Sequence, residues 1–161
     1  DFPSIRRTHG YRYSTKVTRL AMPDYMADTG EREQISAENR KTADRILQLC
    51  RENGAQLLLV ELPSVTSWNT ARHRGVAEFA VARGLEFLDL NLLYDQMGLD
   101  GAVAFRDAGN HLNVTGATAV TAYLGRYIAR QYRLPDLRGN SHYANRQEEW
   151  VCYRRFVNGN V

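Results

Sequence analysis

Two short apolar runs, "QLLLVELP" (56–63) and "LEFLDLN" (85–91), flank a stretch with helical spacing, and this repeat restricts the possible folds more than any other feature. Each run is too short for a helix, and each reads as a strand buried on both faces. Between them, "TARHRGVAEFAVARG" sets Val76, Phe79 and Ala80 at helical intervals and ends in Gly84. A glycine there enters the left-handed conformation without a Cβ clash and stops the helix. Strand, helix and strand joined by short connections imply a right-handed parallel crossover, because a parallel pair cannot be closed by a hairpin.

The flanking segments extend the pattern. Ser36 is suited to capping a helix over about 37–53, whose Ala43, Ile46, Leu47 and Cys50 recur at spacings of three and four. Gly54 supplies its stop. A last helix is expected over roughly 116–131, with Val120, Leu124, Tyr127 and Ile128 as its apolar stripe. The expected fold class is therefore α/β, a three-layer parallel sheet of flavodoxin-like type. Residues 1–34, punctuated by Pro3, Gly10, Pro23 and Gly30, read as an irregular arm with at most a short strand near Tyr13–Val17. Residues 35–134 form the α/β domain. Residues 135–161, carrying Trp150, Tyr153 and Phe156 at every third position, read as a C-terminal flap packed on it.

A length of 161 residues suits one core, and 43% hydrophobic with 24% charged residues is a globular balance rather than a disordered one. The net charge of +3 comes from scattered arginines such as Arg6, Arg7, Arg72, Arg74, Arg154 and Arg155, without the basic track that nucleic acid requires. Cys50 and Cys152 have no metal-type spacing, and no cofactor or metal is expected. The chain opens at Asp1 without an initiator Met, so a fragment or a processed product is expected.

The connection from Leu92 to Asn113 is longer than most and ends in "FRDAGNHLNVTGATAV". It leaves the carboxyl end of the second strand, where ligands bind in open α/β sheets. His111 precedes the last helix rather than joining its apolar stripe, and Asp107 can reach it across a glycine turn. A carboxylate on one ring nitrogen leaves the other free to carry protons near neutral pH. An ordinary polar turn is the competing reading of the same two residues. Ser64, after the first strand, lacks the glycine-flanked elbow that exposes a nucleophile and reads as a turn residue. With Trp68 and Asn110 it is a candidate substrate-binding residue, and Thr66 and Ser67 share its loop. His73 reads as solvated, and Asp89, Asp95 and Asp100 as turn and cap residues. His9, His73 and His142 lack a setting like that of His111.

Taken in order, "LLLVELPS", "GLEFLDLN" and "FRDAGNHLNVTGATAVTAYLGRYI" resemble the C-terminal half of an SGNH/GDSL-type hydrolase over about residues 36–134. The resemblance is to bacterial cell-envelope members, some associated with membrane-bound O-acyltransferases. It implies that His111 is the general base of a serine triad and Asp107 its orienting acid. It also implies an extracytoplasmic protein, membrane-anchored through a segment outside this chain, acting on acylated carbohydrate or another cell-envelope polymer. The family's usual spacing has two residues between Asp and His, where Ala108, Gly109 and Asn110 make three. The blocks bearing the nucleophilic serine and the oxyanion hole are absent. The implied activity is ester hydrolysis or O-acyl transfer completed by a missing N-terminal half, with this chain alone inactive. The alternative is a non-catalytic α/β domain that binds or scaffolds a polysaccharide or a membrane protein partner.

Overall fold

The computed structural model describes residues 11–159, so His9, Arg6, Arg7 and the start of the arm lie outside the described residues. The chain divides into two compact units, one of residues 14–123 and one that joins residues 11–13 to residues 124–159.

The larger unit is mixed α/β. Helix α1 (Ala37–Glu52) is followed by strand β1 (Leu58–Glu61), helix α2 (Thr70–Arg83) and strand β2 (Glu86–Asp89). The two strands pair in parallel, with Leu58 opposite Glu86 and Glu61 opposite Asp89. Local chemistry sets the helix ends as the sequence suggests. Ser36 Oγ accepts the Asn39 N–H (3.2 Å), satisfying one of the donors that a first turn leaves unpaired. Gly84 closes α2 at φ +65°.

The strands are less covered than expected. All four residues of β1 are half-buried, and in β2 only Leu88 and Asp89 are buried. Among the described residues the sheet has two strands, so each has a neighbour on one side only. The apolar side of α1 is likewise open. Leu47 is buried, whereas Ile46 and Leu49 are about half exposed.

Beyond β2, a 3-10 turn (Leu90–Leu92) and a one-turn helix α3 (Tyr94–Met97) lead to the long connection. It and the turn before it hold the most deeply buried apolar side chains among the described residues. Phe105 and Leu90 are fully buried and Ala104 nearly so. Burying a side chain such as Phe105 contributes about 2 kcal/mol relative to leaving it exposed. Residues 14–34 contain neither helix nor strand, the expected strand at Tyr13–Val17 included. They are tied to the unit through their backbone. Thr18 N–H donates to Phe105 O (2.9 Å), Leu20 N–H to Ala102 O (3.1 Å) and Glu33 N–H to Ala71 O (2.9 Å). Gly75 permits the last approach, because a Cβ there would meet the Glu33 carbonyl oxygen.

Helix α4 (Val114–Gln131) starts two residues earlier than its sequence pattern suggests and runs from one unit into the other. Asn113, 1% exposed, is the reason. Its Oδ1 accepts the Gly116 N–H (3.1 Å), and its Nδ2 donates to Val103 O (2.7 Å) and to Lys16 O (3.3 Å). One amide thus caps the helix and fastens two loops to its start.

The smaller unit carries a 3-10 turn (Ser141–Tyr143) and helix α5 (Ala144–Val157). Tyr153 and Phe156 meet the rings of Tyr11 and Tyr13 at centroid distances of 6.1 and 4.8 Å. Trp150, expected to help cover a core, is 58% exposed.

Candidate active site

Asp107 and His111 meet. His111 Nδ1 lies 2.5 Å from Asp107 Oδ2, and Asp107 Oδ1 accepts the backbone N–H groups of His111 (2.7 Å) and Asn110 (3.2 Å). The turn that joins them needs two residues with positive φ, Ala108 at +57° and Gly109 at +107°. Three residues, Ala108, Gly109 and Asn110, lie between the pair. The left-handed turn at Ala108 and Gly109 brings the carboxylate to the ring. An anti bridge between Phe105 and Leu112 closes the base of the loop.

Electrostatics favour the ionised carboxylate. Burial pushes the Asp107 carboxyl up, but the hydrogen bonds from the His111 N–H and ring, the charge of that ring, and the Asn110 N–H together outweigh it. The net direction is below the ordinary carboxylate value. An ionised Asp107 accepts hydrogen bonds only, so the neutral imidazole carries its proton on Nδ1. Nε2 then holds the lone pair. The His111 side chain is 55% exposed and that of Asp107 37%, so the pair is open to a reacting group.

The dyad turn is docked on the loop that follows β1. Val65 N–H donates to Gly109 O (2.7 Å), and Asn110 Oδ1 faces the hydroxyls of Ser67 (3.3 Å) and Ser64 (3.4 Å), which lie 2.5 Å from each other. Ser64 and Asn110, named as candidates from sequence, are therefore in one cluster beside the dyad. Ser64 is buried and its N–H donates to Asn91 Oδ1 (2.9 Å), whereas Ser67 and Asn110 are exposed.

Trp68 belongs to a different cluster at the ends of the two strands. Its Nε1–H donates to Asp89 Oδ2 (2.8 Å). His73 Nδ1 approaches the same oxygen at 2.7 Å, so His73 turns inward instead of lying in solvent. Asp89, with a side chain 1% exposed, also takes the N–H and Nδ2–H of Asn91 on Oδ1. It caps the 3-10 turn, as a cap residue should, and it engages three further groups, Asn91 Nδ2, Trp68 Nε1 and His73 Nδ1. Tyr25 OH reaches Asn91 Oδ1 (2.9 Å) and Tyr94 OH (3.2 Å). Burial, with the Asp89 charge adding to it, holds both phenols above their usual range. Burial and the Asp89 charge also raise Glu61, against the pull of Arg72.

Sequence reasoning missed Asn113, Asn91 and the His73–Asp89 pair. The first had a readable signal, an Asn three residues before Gly116 at a helix start. The others join residues 16 or more apart in the chain, and no local pattern announces them.

Among the described residues, no group of three or more His, Cys, Asp and Glu side chains converges as metal donors. Cys50 and Cys152 are free thiols. Among the described residues no helix is long and apolar enough to cross a membrane. No protein-family model, curated protein or solved structure matches the chain.

Proposed function

We propose that this chain supplies the acid–base half of a serine-dependent ester hydrolase or O-acyltransferase. The observation that carries the reading is the exposed His111 imidazole, fixed through Nδ1 by Asp107 and docked on the loop at the carboxyl end of β1. As a serine hydroxyl attacks an ester carbonyl, His111 Nε2 takes the hydroxyl proton and the serine oxygen forms the new C–O bond. Asp107 stabilises the imidazolium. When the tetrahedral intermediate collapses, the proton passes from Nε2 to the departing alcohol oxygen. Water or an acceptor hydroxyl then repeats the sequence on the acyl-serine.

Ser64 is buried, with its N–H on Asn91 and its hydroxyl against Asn110, and the attacking hydroxyl in this scheme, as the resemblance implies, comes from polypeptide other than residues 1–161. The resemblance to SGNH/GDSL-type hydrolases supplies the rest of the proposal. The substrate is an acylated carbohydrate or cell-envelope polymer outside the cytoplasm, and a membrane-bound O-acyltransferase is the partner. In this reading the parallel β1–α2–β2 unit is part of a three-layer sheet.

The test compares residues 1–161 with the complete gene product on 4-nitrophenyl acetate and on an acetylated polysaccharide. The complete product should turn both over, with losses of about 10⁴-fold for Asp107→Asn and at least as much for His111→Ala. Residues 1–161 alone should show no turnover that depends on His111. Full activity of the complete His111→Ala protein would overturn the proposal and leave an α/β binding domain.

A further inference from the structure

The smaller unit carries a feature that the acyl-transfer reading does not use. Leu137, Arg138, Tyr143, Arg146, Gln147 and Trp150 line an open groove of about 500 Å³ between the 3-10 turn and α5. Its walls are the apolar faces of Leu137, Tyr143 and Trp150, all substantially exposed. Its rim is cationic. Arg146 precedes Trp150 by one helical turn and Arg154 follows by one, so the three share a face of α5. The Arg154 guanidinium carbon stands 6.0 Å from the Trp150 ring centroid. The rings of Tyr153 and Phe156 are engaged with Tyr11 and Tyr13.

Charge identifies the occupant. Residues 124–161 hold seven arginines and no lysine against Asp136, Glu148 and Glu149, a net +4 in a chain whose total is +3. Asp136 and Glu149 pair with Arg138 and Arg146, and the stretch stays net positive with those pairs counted. The uncharged polar groups of the lining are one amide, Gln147, and one phenol, Tyr143, beside the guanidinium groups of Arg138 and Arg146. An acyl chain needs only apolar walls. Trp and Tyr beside arginines, with Val151 also exposed next to Trp150, match the chemistry of a headgroup boundary.

We infer that this groove docks the chain on an anionic lipid bilayer, with phosphate headgroups on Arg138, Arg146 and Arg154 and a lipid acyl segment against Leu137, Tyr143 and Trp150. The site is independent of Asp107 and His111, and loss of either function leaves the other in place.

The test sediments residues 1–161 with vesicles of phosphatidylcholine alone and of phosphatidylcholine mixed with phosphatidylglycerol. The mixed vesicles should bind about tenfold or more tightly, and high salt should weaken the binding. Brominated acyl chains should quench Trp150 emission, recognised as the quenching absent from Trp150→Phe. Trp150→Ala should weaken vesicle binding about tenfold, and Arg138→Gln with Arg146→Gln about 25-fold. Circular dichroism should show unchanged helix content in all variants, because these side chains lie at the surface. Equal affinity for neutral and anionic vesicles would overturn the inference, as would binding without Trp150 quenching. Polygalacturonate binding that shifts Trp150 emission while vesicles do not bind would assign the groove to an anionic polysaccharide instead.

Discussion

Replacing Gly109 by alanine tests whether the dyad turn is held where it is by close packing. Gly109 sits at φ +107°, a conformation that residues with a Cβ rarely adopt. A Cβ there would stand 2.8 Å from Val65 Cβ and 3.1 Å from Leu20 Cδ2. Ordinary carbon–carbon contact needs about 3.5–4.0 Å, so Val65, itself buried, must retreat by roughly 1 Å. The same movement stretches the 2.7 Å bond from Val65 N–H to Gly109 O. Backbone strain of about 1–3 kcal/mol and overpacking of about 1–3 kcal/mol give an expected loss of about 2–5 kcal/mol. Urea unfolding at constant m-value measures it. The double variant Val65→Gly with Gly109→Ala separates the two contributions, since removing Val65 Cβ, the atom in closest contact, recovers the packing part and leaves the backbone part. A coupling of about 1–2 kcal/mol is expected. A loss under about 0.5 kcal/mol for Gly109→Ala, or strict additivity in the double variant, would refute the claim that close contact positions the turn.

Asn113→Ala should cost about 2–4 kcal/mol in the same assay, because it removes the cap on the Gly116 N–H and leaves the Val103 carbonyl without its amide donor. Glu61→Gln should stabilise the fold at pH 7. Its carboxyl is raised in the folded chain, so the folded state binds a proton more readily and stability falls as pH rises through that range. The gain from Gln should vanish below about pH 4. Asp107 has the opposite sign. Its folded value is lowered, so its contribution is present above the unfolded carboxylate value of about 3.9 and is lost as pH falls through the folded one. The His111 ring-proton NMR signals should report that loss as a change of environment below about pH 4, absent in Asp107→Asn.

What the sequence revealed was what short segments decide for themselves. Ser36 and Gly84 set helix ends through their own hydroxyl and missing Cβ, and the apolar runs 58–61 and 86–89 declared parallel strands through the helix between them. The Asp107–His111 pair was legible for the same reason, since four residues span it. The docking of that pair was not. It depends on Val65 meeting Gly109 and on Asn110 meeting Ser64 and Ser67, contacts made by two loops more than forty residues apart. His73 shows the same limit. Its neighbours in sequence are arginines, which suggests water, but the end of β2 presents Asp89 to it. Trp150 errs the other way, since its every-third-residue spacing with Tyr153 and Phe156 suggested burial that only the latter two approach.

The parallel pair has a consequence for assembly. Among the described residues each strand has a neighbour on one side only, and its other flank is an edge of the kind that can pair with a guest segment. A guest aligned with Leu58–Glu61 would finish beside Glu61, close to the loop on which the His111 turn rests.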